Sequence, residues 1–321
     1  MDKVLEEISK IGIIPVIKID DEKDAVPLAN ALINGGLNCA EITFRSDAAK
    51  KAIKIINDQC EGMLVGAGTV INKEQVDEAI EAGAKFIISP GYIDEVVDYC
   101  ISKNVLIIPG CSNASEVAKA VNHHVNVIKF FPAEASGGVE MINAFAGPYG
   151  KMKFIPTGGI NECNLKGYLD KKNIIACGGS WMVKSDLIKE KKFDEIELLT
   201  KKAVNSMLGY EMTHLGVNLN NANEANEVCD NFSNLFGFEK RENSNSIFAG
   251  KYVEAMKAPF HGEKGHLAIA TNYVDRAMYQ LSKLGVKFKE NSIIYDDNNI
   301  PTVVYLENEI GGFAIHLVKK N

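Results

Sequence analysis

Lys129 lies in Asn126-Val127-Ile128-Lys129-Phe130-Phe131-Pro132, a run that otherwise reads as a buried β-strand. An ammonium buried there costs free energy unless it is paired or gives up its proton. The chemistry that exploits a shielded, neutral amine is attack on a carbonyl to form an imine. The competing reading is a lysine whose stem lines a wall while its head reaches solvent. A second polar set bears on the choice. Glu41, Thr43 and Arg45 alternate with Ile42 and Phe44, so period-two spacing puts all three on one strand face. A carboxylate, a hydroxyl and a guanidinium aimed into a core make poor packing. Glu41 could serve as general base beside the lysine. A buried Glu41–Arg45 ion pair is the plainer alternative. By the same spacing Lys129 shares its face with Phe131.

Two glycine-rich turns come later: Pro156-Thr157-Gly158-Gly159-Ile160 and Cys177-Gly178-Gly179-Ser180-Trp181. Glycine lets the backbone approach an anion closely, and turns after late strands of a barrel often hold phosphate. Gly66-Ala67-Gly68-Thr69-Val70, Ser89-Pro90-Gly91 and Pro132-Ala133-Glu134 each follow an apolar run. They read as turn punctuation, although Thr69 could also donate to a substrate carboxylate. An imine-forming lysine, a general base, an anion-binding arginine and a phosphate cradle together suit carbon–carbon cleavage or formation on a phosphorylated keto acid.

Such residues must be positioned by a frame. From residue 11 to about 207, apolar runs alternate with amphipathic stretches. Strands are expected at Ile13–Ile19, Cys39–Phe44, Met63–Gly66, Phe86–Ser89, Val105–Pro109, Val127–Phe131, Lys153–Pro156 and Ile174–Cys177. Helices are expected between them, at Glu22–Asn34, Asp47–Asp58, Lys73–Ala82, Ile93–Lys103 and Ser115–Asn122, with Phe193–Leu208 last. Eight strand–helix units make the fold class α/β and predict a (β/α)₈ barrel over residues 1–208. An open doubly wound sheet is the alternative. After Gly209 the rhythm changes, and 212–321 reads as a second, smaller domain. There Thr213-His214-Leu215-Gly216-Val217 is echoed by Gly265-His266-Leu267-Ala268-Ile269, each followed by a helical stretch. This points to a duplicated unit whose halves bury one another.

The chain's 321 residues are 46% hydrophobic and 24% charged, the composition of an ordinary globular protein. A net charge of -7 and the lack of a basic stripe argue against nucleic acid. No apolar run is long enough to span a bilayer, and the first residues lack the apolar core of a secretion signal. Seven scattered cysteines without a Cys-x-x-Cys pair fit reduced thiols in a cytoplasm.

The ordered set Glu41-Ile-Thr-Phe-Arg45, Gly66-Ala-Gly-Thr-Val70, Ile88-Ser-Pro-Gly91, Ile108-Pro-Gly110, Lys129-Phe-Phe-Pro-Ala-Glu134, Pro156-Thr-Gly-Gly-Ile160 and Gly178-Gly-Ser-Trp181 resembles the KDPG/KHG aldolases over about residues 4–207. These are class I aldolases acting on 2-keto-3-deoxy-6-phosphogluconate and 4-hydroxy-2-oxoglutarate. The resemblance implies that Lys129 forms the imine and Glu41 moves protons, without a cofactor. It implies that Arg45 and Thr69 hold the carboxylate end of the bound pyruvate portion and that Pro90, Phe131 and Thr157 shape the pocket. Gly158, Gly159, Gly179 and Ser180 would surround the phosphate, and the assembly would be a homotrimer. Ser46 stands where Thr is usual.

The second segment, about 212–320, resembles the glyoxalase/bleomycin-resistance (vicinal oxygen chelate) domains, which are α+β folds of paired βαβββ units. His214 and His266 occupy equivalent places in the duplication, Glu254 precedes the second repeat, and His316 lies on the last strand. The resemblance implies that these four could hold a divalent metal. His316 departs from the pattern, in which a Glu is common, and that puts the metal's identity and a glyoxalase-type activity in question. A fusion that senses a small molecule through its second domain, with a degraded barrel, is the non-enzymatic alternative.

Overall fold

The computed structural model describes residues 3–320, and the chain divides after Met207 into two units. The first opens with a helix, Lys3–Ile11, that buries Leu5, Ile8 and Ile11 on one face. The strands follow as β1 (Ile13–Ile17), β2 (Cys39–Thr43), β3 (Leu64–Gly68), β4 (Phe86–Ile88), β5 (Leu106–Ile108), β6 (Gly110–Cys111), β7 (Val127–Phe130), β8 (Lys153–Pro156) and β9 (Cys177–Gly179). All their pairings are parallel. One sheet runs β5-β4-β3-β2-β1-β9 and a second β6-β7-β8. Pro109, which has no N–H to give a ladder, separates β5 from β6, but its carbonyl accepts from Lys129 N at 2.9 Å. Bridges from Phe154 to Ile174 and from Thr157 to Gly178 join β8 to the β9 edge. Counting β5 and β6 as one interrupted strand, the pairings circle an α/β barrel whose strand residues are nearly all buried.

Side-chain caps set several helix starts. Asn72 accepts from Gln75 N at 2.8 Å before Lys73–Glu81, and Asn113 from Glu116 N at 3.1 Å before Ala114–Asn122; each satisfies an amide that the helix leaves open. The last barrel strand differs from the Ile174–Cys177 expected. The ladder to β1 is made by Cys177, Gly178 and Gly179 opposite Ile13, Ile14 and Pro15. The glycines that looked like a turn are strand residues with neighbours in their missing side-chain space. A Cβ at Gly178 would lie 2.3 Å from Thr157 Oγ1, and one at Gly179 1.9 Å from the Trp181 ring. Helices at Gly138–Ala146, Leu165–Leu169 and Ser185–Lys189 follow β7, β8 and β9.

The second unit contains β10 (Glu211–Asn218), a helix Ala222–Phe236, then β11 (Lys240–Glu242), β12 (Ser246–Ala249) and β13 (Val253–Met256). The order repeats as β14 (His266–Thr271), a helix Val274–Lys283, then β15 (Ile294–Tyr295), β16 (Pro301–Tyr305) and β17 (Ala314–Lys319). One eight-stranded sheet runs β11-β12-β13-β10-β14-β17-β16-β15. β10 and β14 pair antiparallel at its centre, and each has the last strand of its own half beside it in parallel. The sheet is therefore two copies of one arrangement related by an approximate two-fold. Ala225, Cys229, Ile247, Ala249, Val253 and Ala255 form a buried core in the first half, with Phe232 and Phe238 against it.

Candidate functional site

Lys129 is 5% exposed and Glu41 1%. Their strands, β7 and β2, are not neighbours in the ring, so the side chains meet across its interior. Lys129 Nζ lies 3.0 Å from Glu41 Oε1 and 3.5 Å from Oε2. The Glu41–Arg45 pair is not formed; Arg45 Nε donates to Thr43 Oγ1 at 3.0 Å, and that hydroxyl donates to Ile17 O at 2.8 Å. Thr43 thus anchors a guanidinium that stands exposed just past the strand end. Gly68 creates the space for Glu41, because a Cβ there would fall 2.2 Å from Glu41 Oε1. Sequence reasoning gave Gly68 no role; its signal was a glycine inside an apolar strand.

The other expected residues gather at the C-terminal ends of the parallel strands. Thr69 follows β3 with φ 57°, in the left-handed region, an arrangement costly for a β-branched residue and typical of sites that constrain their backbone. Pro90 follows β4, and its carbonyl sits against Gly110, where a Cβ would lie 2.3 Å away. Phe131 is 37% exposed, with its ring centroid 5.4 Å from Lys129 Nζ. Thr157 is buried and its Oγ1 has no partner. Gly158 and Gly159 take φ values of 101° and 82°, which only glycine adopts readily. Ala133 N and Glu134 N donate to Thr157 O and Gly158 O at 2.8 and 3.1 Å, tying the loop after the lysine strand to this turn. Tyr168, whose hydroxyl proton is held more tightly than usual by burial and by Glu134, donates to the Glu134 carboxylate.

A cavity of about 550 Å³ opens at this end, lined among others by Lys18, Arg45, Gly159, Ser180, Trp181 and Lys184. Its cations and backbone suit an anion. Arg45, Gly159 and Ser180 of the expected set border it, whereas Gly179 is committed to β9. Lys18, Lys184 and the unpartnered indole nitrogen of Trp181 are additions that sequence reasoning did not single out.

Residues 4–199 match the family model for KDPG and KHG aldolase. The chain belongs to this family. The 2-dehydro-3-deoxy-phosphogluconate aldolase of Treponema pallidum (strain Nichols) is 43% identical over 204 residues, 64% of this chain and 97% of the relative. The KHG/KDPG aldolase of Escherichia coli (strain K12) is 40% identical over 192 residues, 60% of this chain and 90% of that protein. A crystal structure of KDPG aldolase from Legionella pneumophila, with pyruvate captured at low pH as a covalent carbinolamine intermediate, has 38% identity and TM-score 0.60. It matches 62% of this chain and 97% of its own. That of Zymomonas mobilis ZM4 with 3-phosphoglycerate has 35% identity and TM-score 0.58, over 62% and 94%. In each case the match spans 90% or more of the relative but no more than 64% of this chain, and the family model ends before this aldolase's second unit.

That unit has its own polar cluster, built by sheet register. Gly216 on β10 lies between Glu254 on β13 and His266 on β14, and two residues earlier His214 is opposite Ala268, itself opposite His316 on β17. Paired residues point to one face, so two small residues, Gly216 and Ala268, let four large ones lean together. A Cβ at Gly216 would meet the His266 ring at 2.0 Å. His214 Nε2 and His266 Nε2 lie 3.2 and 3.0 Å from Glu254 Oε2 and 3.4 Å from each other. Ligand atoms held at roughly 2.0–2.1 Å around a tetrahedral ion are about 3.3 Å apart, so the three fit a metal. His316 stands behind them, its ring centroid 5.2 Å from that of His266, with a buried Nδ1 that has no partner. Burial pushes its pKa down to about 3, helped by His266 and His214. Burial opposes the charge on Glu254, but hydrogen bonds from His214, His266 and Ser246 outweigh it and hold this carboxyl well below the usual range. Metal could be held by His214, Glu254 and His266, and His316 is the neutral fourth side of the site.

Proposed function

We propose that the barrel is a Schiff-base aldolase that cleaves 2-keto-3-deoxy-6-phosphogluconate to pyruvate and glyceraldehyde 3-phosphate. The observation that carries this reading is the buried amine of Lys129 at 3.0 Å from the carboxylate of Glu41. The amine attacks the C2 ketone, and loss of water leaves a protonated imine. Glu41, directly or through water, takes the C4 hydroxyl proton while the C3–C4 bond breaks. The bond's electron pair enters the imine as an enamine, and the phosphorylated aldehyde departs. The proton returns to C3, and water releases pyruvate and the free lysine. Arg45 and Thr69 hold the carboxylate, and the glycine turn, Ser180 and the rest of the cationic cavity take the phosphate. Relatives named for both KHG and KDPG support a second reading, cleavage of unphosphorylated 4-hydroxy-2-oxoglutarate to pyruvate and glyoxylate, alone or as a bifunctional enzyme. The cationic cavity favours the phosphorylated substrate. Pyruvate release from each substrate decides: kcat/KM is expected to be higher for the phosphorylated one, and the reverse order would displace the first reading.

We read the ring as a (β/α)₈ barrel and the second unit as a glyoxalase/vicinal-oxygen-chelate-like domain that holds a divalent metal through His214, Glu254 and His266, with His316 beside the ion as the fourth side of the site. The repeated β-α-β-β-β order and the ligand-atom spacing support this. Such an ion would supply Lewis acidity, while Ser246, which donates to Glu254 at 2.6 Å, fixes the carboxylate. Elemental analysis of the double variant His214→Ala plus His266→Ala should show the metal lost; stoichiometric metal retained would count against these ligands. The proposed assembly is a cytoplasmic homotrimer, in keeping with seven free cysteines, and light scattering on the purified protein tests the trimer. Among the described residues no helix is long and apolar enough to cross a membrane.

A further inference from the structure

The duplication places Glu254 and His316 at equivalent points. Glu254 is opposite Gly216, two residues after His214, and His316 is opposite Ala268, two residues after His266. One half therefore contributes a carboxylate where the other contributes an imidazole. We propose that this asymmetry makes the second unit's cavity an anion site, and that its ligand is a small 2-oxo acid, the class of molecule the barrel consumes and produces.

The cavity, about 710 Å³, is lined by fifteen residues. Among them Glu254 is the one carboxylate and Lys257 the one ammonium, and Lys257 is already engaged by Glu242 at 2.7 Å. A second carboxylate at 316 would balance a divalent cation. With histidine there, the bound cation keeps uncompensated positive charge. The walls strengthen the effect: Phe248, Phe260 and Tyr305 face the cluster, and the Tyr305 ring centroid is 4.7 Å from that of His316. An apolar lining lowers the local dielectric, so a ligand's charge matters more than it would in water. His316 is 6% exposed and borders the cavity, and its buried Nδ1 has no hydrogen-bond partner in the protein. A carboxylate with an adjacent keto oxygen satisfies both demands, a negative charge and two oxygens side by side.

This inference rests on the divalent-metal reading of the unit, and cobalt(II) separates the two. Added to the full-length protein, cobalt should give a visible d–d band that is absent in His266→Ala. Pyruvate should then shift the band saturably, since imine formation at Lys129 does not alter a cobalt spectrum. Hydroxyacetone, with two adjacent oxygens but no charge, should need about tenfold more or fail. His316→Glu should raise the pyruvate midpoint about tenfold or more, and His316→Gln, neutral like the histidine, should stay near wild type. An unshifted cobalt band would overturn the inference and leave the metal reading standing. Equal responses to pyruvate and hydroxyacetone, or an unchanged midpoint in a folded His316→Glu, would do the same. Weak pyruvate binding in His316→Gln equal to that in His316→Glu would also overturn it. Absence of any cobalt band would remove the metal reading itself.

Discussion

Burying both Lys129 and Glu41 ties their energetics together. Two opposite charges taken from water seldom add net stability as a pair, but removing one leaves the other exposed to a low dielectric. Lys129→Met should therefore destabilise the barrel by about 3 kcal/mol, read by urea unfolding, while the pair of changes Lys129→Met and Glu41→Leu recovers most of the loss. Equal stability of wild type and Lys129→Met would mean that the two charges do not depend on each other. Glu41→Gln should lower turnover by about 10²-fold or more, measured as pyruvate release, with the protein still folded. Both residues were legible in the sequence because a charged side chain in an apolar run has few explanations. The partner was harder to read: Arg45 and Lys129 were both candidates for Glu41, and only the cross-barrel geometry joins Glu41 to Lys129.

At the level of strands, glycines do the steric work that polar side chains appear to do alone. Gly68 leaves room for the Glu41 carboxylate, and Gly216 for the His266 ring. Gly68→Ala should lower kcat about tenfold or more by displacing Glu41 from its reach of the substrate, with little change in the circular dichroism of the protein; wild-type turnover would refute that account. Gly216→Ala should weaken the metal binding proposed for the second unit, read by elemental analysis, while leaving barrel turnover intact. The strand pattern was readable where apolar runs were long, as in β1, β2 and β7. It failed at β9, because glycines carry no hydrophobic signal and Cys177-Gly178-Gly179 forms its ladder through backbone alone. It also gave no warning of the helix beginning at Gly138, where two glycines in the left-handed region precede regular turns.

Over the whole chain, the aldolase relatives are matched over 87–97% of their length by 60–64% of this chain, and the family model ends at residue 199. The barrel's strand pairings likewise close without any residue after Gly179. A chain ending after Gly209 should therefore fold and cleave substrate with kcat within about threefold of the full protein, because units with separate cores behave as separate domains. An inactive but folded truncation would show that the second unit completes the barrel's site. The six buried cysteines and exposed Cys163 give a check on the packing of both units: iodoacetamide should modify one thiol in the native protein and seven after unfolding. The division of the chain was readable from its change of rhythm and from the repeated His-Leu motif. The register that brings Glu254 and His316 into equivalent places was not, since strand pairing is set by contacts distant in sequence.

The most direct test is to treat the full-length enzyme with pyruvate and borohydride and map the product by mass spectrometry. The account predicts one irreversible reduced-pyruvate adduct, on the peptide carrying Lys129, with loss of activity in step with labelling. An adduct on another lysine, or an unmodified protein that still cleaves its substrate, would contradict it.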